Sequence, residues 1–104
     1  MKNKINYSPE ALQDLNDIGD YISLNLCNQQ SAMKILTAIL KDIDLLAVNP
    51  KLGAPLSSIT ELVSDYRFLI SNKHIVFYRE SNNNIFIDRI LYSKRNYLSI
   101  LLER

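Results

Sequence analysis

The feature that most constrains this chain is a change in hydrophobic period. Apolar side chains recur at helical spacing from residue 9 to 49, and at strand spacing from 65 to 92. Ala11, Leu15, Ile18 and Ile22 step by four, three and four, which is one helical face. Ser8-Pro9 supplies the start: the hydroxyl accepts from an orphan backbone N–H, and proline at the first helical position forgoes a bond that helix geometry does not need. The first helix is expected over 9–26. Asp14, Asp17 and Asp20 fall off its apolar stripe and read as a solvated face. A second stripe, Ala32, Leu36, Ile39, Ile43 and Leu46, is widened by Ile35 and Leu40. Asn28 can cap this helix, and Asn49-Pro50 ends it, because the residue before proline is pushed out of the α region. The connection around Cys27 is short, so the two helices should form an antiparallel hairpin.

Lys4-Ile5-Asn6-Tyr7 reads as a short strand, and 50–58, with Gly53 and Pro55, as a loop. Three strand-like runs follow, 65–71, 74–80 and 85–92, separated by turns at Asn72-Lys73 and at Ser81-Asn82-Asn83-Asn84. The tail 93–104 has one apolar side, Leu98, Leu101 and Leu102, and reads as helical. If Asn72-Lys73 is a two-residue loop, Ser71 faces His74, Leu69 faces Val76 and Arg67 faces Tyr78. Across the next ladder Tyr78 faces Ile87 and Val76 faces Arg89. One sheet face then carries Tyr66, Phe68, Ile70, Ile75, Phe77, Phe86 and Ile90, and the helix hairpin is expected to cover it. The other gathers Arg67, His74, Tyr78 and Arg89 on an apolar floor. That face is either a phosphate or partner site or a solvated surface.

At 104 residues the chain should be a single domain, 1–104, since one core usually serves about 100–200 residues. An apolar content of 47% is ordinary for a globular domain and excludes disorder. A lone cysteine, Cys27, excludes an intrachain disulfide framework and suits a reducing compartment. No apolar run reaches the roughly 18–20 residues of a membrane span, and no apolar segment follows the basic amino terminus as in a signal peptide. A cytoplasmic location is expected, with no membrane partner. The net charge of +1 is uneven: from Arg67 to Arg95 six basic residues oppose two acidic ones, a local +4. A polyanion, if bound, should meet this half. One His and one Cys supply no zinc site, and there is neither a Gly-rich phosphate loop nor a nucleophile elbow, so no cofactor and no metal are expected.

Specific residues carry a resemblance. Tyr7-Ser8-Pro9-Glu10-Ala11 with Asp14-Leu15, Ile18 and Tyr21-Ile22 forms the opening. Leu46, Asn49-Pro50-Lys51-Leu52-Gly53 and Pro55 form the exit from the second helix. Arg67-Phe68-Leu69, His74-Ile75-Val76-Phe77-Tyr78-Arg79 and Arg89-Ile90-Leu91-Tyr92-Ser93-Lys94-Arg95 form the strands. Over about residues 5–101 the chain resembles the RelE/ParE superfamily, the toxins of type II toxin–antitoxin systems, including plasmid stabilisation modules. The resemblance implies an α+β fold: a short N-terminal strand, an antiparallel helix hairpin, a three-stranded antiparallel meander and a C-terminal helix.

It also implies a growth-inhibiting toxin with a cognate antitoxin as partner, and one of two targets. RelE-like members are enzymes: mRNA interferases that cut messenger RNA on the ribosome by attack of a ribose 2′-hydroxyl on the next phosphate. That chemistry needs a proton acceptor, cations for the phosphate and a donor for the leaving oxygen. Its implied catalytic positions here are Arg67, His74, Arg95 and Tyr97. His74 stands where arginine is usual, Leu69 occupies a second basic slot, and Leu101 falls at the expected aromatic, with Tyr97 one turn earlier. ParE-like members inhibit DNA gyrase and are not enzymes. The Asn-Pro-x-x-Gly exit and the Arg-Ile-Leu-x-x-x-Arg ending are closer to these, so the reading leans to gyrase inhibition. Target or antitoxin binding is implied at Arg67, Tyr78, Arg89, Lys94, Arg95, Leu98 and Leu101. A third reading is a non-toxic member acting only as a binding module.

Overall fold

The computed structural model describes residues 2–26, 29–58 and 65–93. Strand β1 (Lys4–Tyr7) leads into helix α1 (Pro9–Leu26) and helix α2 (Gln29–Asp44), which ends in a 3-10 turn at Leu45–Ala47. A two-residue strand β2 (Ala54–Pro55) and a second 3-10 turn (Leu56–Ser58) precede the hairpins β3 (Arg67–Ser71), β4 (His74–Ser81) and β5 (Asn84–Tyr92). The five strands form one sheet in the order β1-β5-β4-β3-β2, with β1 parallel to β5 and the remaining pairs antiparallel.

Local chemistry explains the elements. Ser8 Oγ accepts from the Ala11 N–H at 2.9 Å, capping α1, and donates to the Asp88 carbonyl at 2.7 Å, which fixes the helix start to β5. Both turns are two residues long. Asn72, Lys73, Asn82 and Asn83 all have positive φ, as the type I′ turn favoured by twisted hairpins requires. Asn3 donates backbone and side-chain bonds to the Ala47 carbonyl, which ties β1 to the end of α2. The helix and strand bounds follow the sequence reading within a few residues. β2 is an addition: two residues inside the expected 50–58 loop pair with Phe68 and Arg67. The expected cap Asn28 and the C-terminal helix lie outside the described residues.

The expected sheet faces are exchanged. The register from β3 to β4 is as anticipated, with Arg67, Leu69 and Ser71 opposite Tyr78, Val76 and His74. The helices, however, cover this face. Ala11, Ile39, Ile43 and Leu46 pack against Val76, Tyr78, Ile85 and Ile87, all fully buried, with Leu69 at the margin. Phe77, Ile75, Leu91 and Leu56 form a second cluster, with Tyr66 and Phe68 packed against it. Alternation identifies which side chains share a face; it does not say which face is covered when both are apolar. Arg67 and Tyr78 gave one face a polar look, but their polar ends find partners in the loop after α2, which removes the cost of burying them.

A β-bulge explains the second departure. Tyr78 pairs with Ile87 as expected, but Phe77 pairs with Arg89 and Val76 with Ile90, because the register shifts between Phe77 and Tyr78. One extra residue on β5 re-aims every side chain beyond it. Ile90 therefore joins the helix-side core rather than the Phe77 side, and Arg89 is not opposite Val76.

Candidate functional site

Three fastenings and one cleft organise the helix side of the sheet. The first fastening holds the segment leaving α2. Tyr78, fully buried, donates its hydroxyl to the Pro50 carbonyl at 2.7 Å and accepts from the Gly53 N–H at 2.9 Å. Arg67 donates to the Gly53 carbonyl at 2.7 Å. Both backbone groups of Gly53 are thus bound by side chains from β3 and β4. Gly53 has no room for a side chain, since a Cβ there would sit 2.5 Å from the Phe68 carbonyl oxygen and 2.7 Å from the Tyr78 hydroxyl. The Asn-Pro-x-x-Gly spacing therefore has a mechanical reading: proline ends the helix and offers its carbonyl, and glycine passes under the tyrosine. Burial raises the Tyr78 pKa; the Gly53 bond and the Arg67 charge oppose this only in part.

The second fastening joins α1 to β5. The Asp14 carboxylate receives Arg89 Nε at 2.8 Å, Arg89 Nη2 at 2.9 Å and the Ile90 backbone N–H at 2.9 Å. β1 covers β5 only from Asn84 to Ile87, so the carboxylate serves the strand edge where β1 has ended. The pairing raises the Arg89 pKa further above its ordinary value. Asp14 is buried, whereas the sequence reading put it on a solvated acidic face; Asp17 and Asp20 are exposed as expected. The partners of Asp14, Arg89 and the Ile90 N–H, lie more than 70 residues away in sequence, so the period of α1 alone does not reveal them. The third fastening is Ser71 Oγ donating to Asp42 of α2 at 2.6 Å.

The cleft, about 520 Å³, opens between the middle of α1, Ile35 of α2, the β3–β4 turn and the end of β5. Ile18, Ile22, Ile35 and Ile90 make its floor, and Asp17, Tyr21, Lys73, His74 and Tyr92 stand around it. His74 Nδ1 lies 2.9 Å from the Asn72 carbonyl, an acceptor, so this nitrogen carries the proton and Nε2 remains for other partners. The imidazole rests against the Tyr92 ring at 5.6 Å between centroids.

The sequence-derived site residues therefore separate. Arg67 and Tyr78 share the loop fastening, Arg89 belongs to the α1 fastening, and His74 stands at the cleft. Arg67 and His74 occupy opposite ends of the β3–β4 ladder, four residues apart along the strand, or roughly 13 Å at strand rise. Lys94, Arg95, Tyr97, Leu98 and Leu101 lie outside the described residues. Among the described residues no group of three or more His, Cys, Asp or Glu could hold a metal ion, and no helix is long and apolar enough to cross a membrane.

A helix pair laid on this five-stranded sheet is the architecture of the small RelE/ParE-type toxins. A family model described as the ParE toxin of the type II toxin–antitoxin system, parDE, matches residues 5–97. The chain belongs to the ParE toxin family. In structure it is similar to a chain of the chromosomal ParDE TA system from P. aeruginosa, with a TM-score of 0.75 at 22% identity, covering 89% of this chain and 98% of that one. Among curated proteins none matches it in sequence.

Proposed function

We propose that this toxin arrests growth by binding DNA gyrase, as ParE-like toxins do, and not by cutting messenger RNA. The observation that carries this reading is the deployment of its cations. In-line cleavage of RNA needs positive groups converging within hydrogen-bond reach of one phosphate. Here the Arg67 guanidinium is tied to the Gly53 carbonyl and Arg89 to Asp14, and His74 is a strand length away from Arg67. Side chains used as fastenings support an inhibitor that works through shape and surface. A surface role also suits the small net charge of +1, because docking on ribosomal RNA calls for many phosphate-neutralising groups.

The test is a supercoiling assay with purified gyrase and the purified chain. Loss of supercoiling with gyrase-dependent double-strand breaks supports the proposal. Gyrase that supercoils normally at an excess of the chain rejects it. If growth also continues when the chain is induced alone, the non-toxic binding module is the better description.

A further inference from the structure

The sheet face turned away from the helices carries a cation that the fastenings leave over. Ile5 and Tyr7 pack on the helix side, so Lys4 and Asn6, which alternate with them along β1, face the other way. Phe86 of β5 pairs with Asn6 on one side and with Arg79 of β4 on the other. Arg79 Cζ lies 5.3 Å from the centre of the Phe86 ring, so the guanidinium rests on the aromatic face. Phe86 is half-buried, and Lys4 and Arg79 are exposed.

Arg79 differs from the other arginines of the strands. Arg67 donates to the Gly53 carbonyl and Arg89 to Asp14, whereas Arg79 has neither a carboxylate nor a carbonyl against it among the described residues. Glu80, next in the chain, pairs with the buried Ile85 and alternates to the helix side. Asp88 accepts from the Tyr66 hydroxyl at 3.2 Å. The phenyl ring thus holds the Arg79 side chain while leaving its donors and its outer plane open, and a side chain already ordered loses less freedom when a ligand arrives. Asn6 adds an acceptor. Its amide nitrogen donates to the Lys4 carbonyl and to Asn84 Oδ1, each at 3.2 Å, and its amide oxygen receives no hydrogen bond among the described residues.

An open guanidinium plane, a second cation and an amide acceptor are the groups that recognise a nucleotide. The plane stacks on a base, the cations meet phosphates, and the acceptor takes an amino group from the base edge. A peptide carboxylate would use only the guanidinium edge and would be repelled by the Asn6 oxygen. A duplex hides the faces of its bases, so the plane would go unused. We infer that this corner of the sheet binds single-stranded nucleic acid, with a base on the open plane of Arg79 and neighbouring phosphates against Lys4 and the guanidinium edge. β1 and β4 flank β5, so the two cations stand roughly 10 Å apart across the strands, with room for a nucleotide between them. Arg67 and His74 take no part, so the site binds a strand without cutting it, and it does not depend on whether gyrase is the target.

The test is fluorescence anisotropy of a labelled oligodeoxyadenylate titrated with the purified chain at low salt, beside an abasic oligomer of the same length. The abasic strand keeps the phosphates and lacks the bases, so it should bind several-fold more weakly. Arg79→Ala should weaken binding of the oligodeoxyadenylate about fivefold or more. Arg79→Lys, which keeps the charge and loses the plane, should not restore it, and Phe86→Leu should weaken it as well by releasing the guanidinium. Lys34→Ala, at an exposed position of α2, should bind as the unaltered chain does. Chemical-shift changes at the Asn6 and Phe86 amides on titration, together with this order, support the inference. Equal binding of the two oligomers, full binding by both Arg79→Ala and Phe86→Leu, or no binding at low salt overturns it. No readout involves gyrase, so failure of the target reading would leave this result intact.

Discussion

Asp14 and Arg89, 75 residues apart in sequence, meet in a bidentate pair whose carboxylate also receives the backbone N–H of Ile90. The pair takes the place of a strand. β1 stops opposite Ile87, and without the carboxylate the next inward amide on β5 would be buried without a partner. A helix is in this way bonded directly to a sheet edge, and the bulge that precedes Arg89 sets it opposite Phe77 and turns Ile90 to the helix side.

Asp14→Ala should therefore destabilise the fold by about 2–4 kcal/mol, because it leaves a mostly buried guanidinium and an amide without acceptors. Asp14→Asn, which retains an acceptor for Ile90, should cost less. Urea denaturation of the two variants checks the order; equal losses would mean that the Ile90 hydrogen bond contributes nothing beyond the charge pairing.

Arg67→Ala should cost about 1–2 kcal/mol by freeing the Gly53 carbonyl. The effect should be visible as increased hydrogen exchange in the 50–55 segment. A variant of unchanged stability but reduced toxicity would mean that the guanidinium meets a target instead of holding the loop.

Tyr78→Phe removes the hydroxyl that serves both Pro50 and Gly53, at a cost of about 1–3 kcal/mol near neutral pH. The pH dependence has a definite sign. Burial raises the pKa of Tyr78, and burial with the nearby Asp44 charge raises that of Tyr7. A phenol with a raised folded-state pKa contributes stability that is complete below its unfolded value of about 10 and is lost as pH rises through the folded value. Melting temperature should hold from pH 8 to 9.5 and fall above pH 10, less steeply in Tyr78→Phe.

Gly53→Ala should cost about 2–3 kcal/mol, since the added methyl meets the Phe68 carbonyl and the Tyr78 ring with no flexible side chain to give way. A neutral result in thermal melts would show that the segment after α2 shifts without penalty.

Much of the fold was legible because its signals are local. The Ser8-Pro9 start, the Asn49-Pro50 stop and the two-residue turns depend on neighbouring residues, and the β3–β4 register follows from turn length alone. The covered face was not legible, because Leu69, Val76 and Ile87 on one side and Phe68, Ile75 and Phe77 on the other are equally able to be a core. The position of Arg89 was not legible either. A single bulged residue changes parity, and no residue type in 86–90 marks it. The candidate site inherited both errors: Arg67, Tyr78 and Arg89 were grouped as an open basic surface, whereas each is fastened to the loop or to α1. His74 was placed on the right ladder position, but its neighbours Lys73, Tyr92 and the isoleucine floor come from segments that only the folded chain brings together.

The most direct measurement of the central claim is the mapping of messenger 5′ ends in a translation extract supplied with the purified toxin. With the cations of β3 and β5 committed to fastenings, messages should stay intact and ribosome-bound termini should match those of the untreated extract. Codon-positioned cuts that appear only with the toxin would contradict that claim.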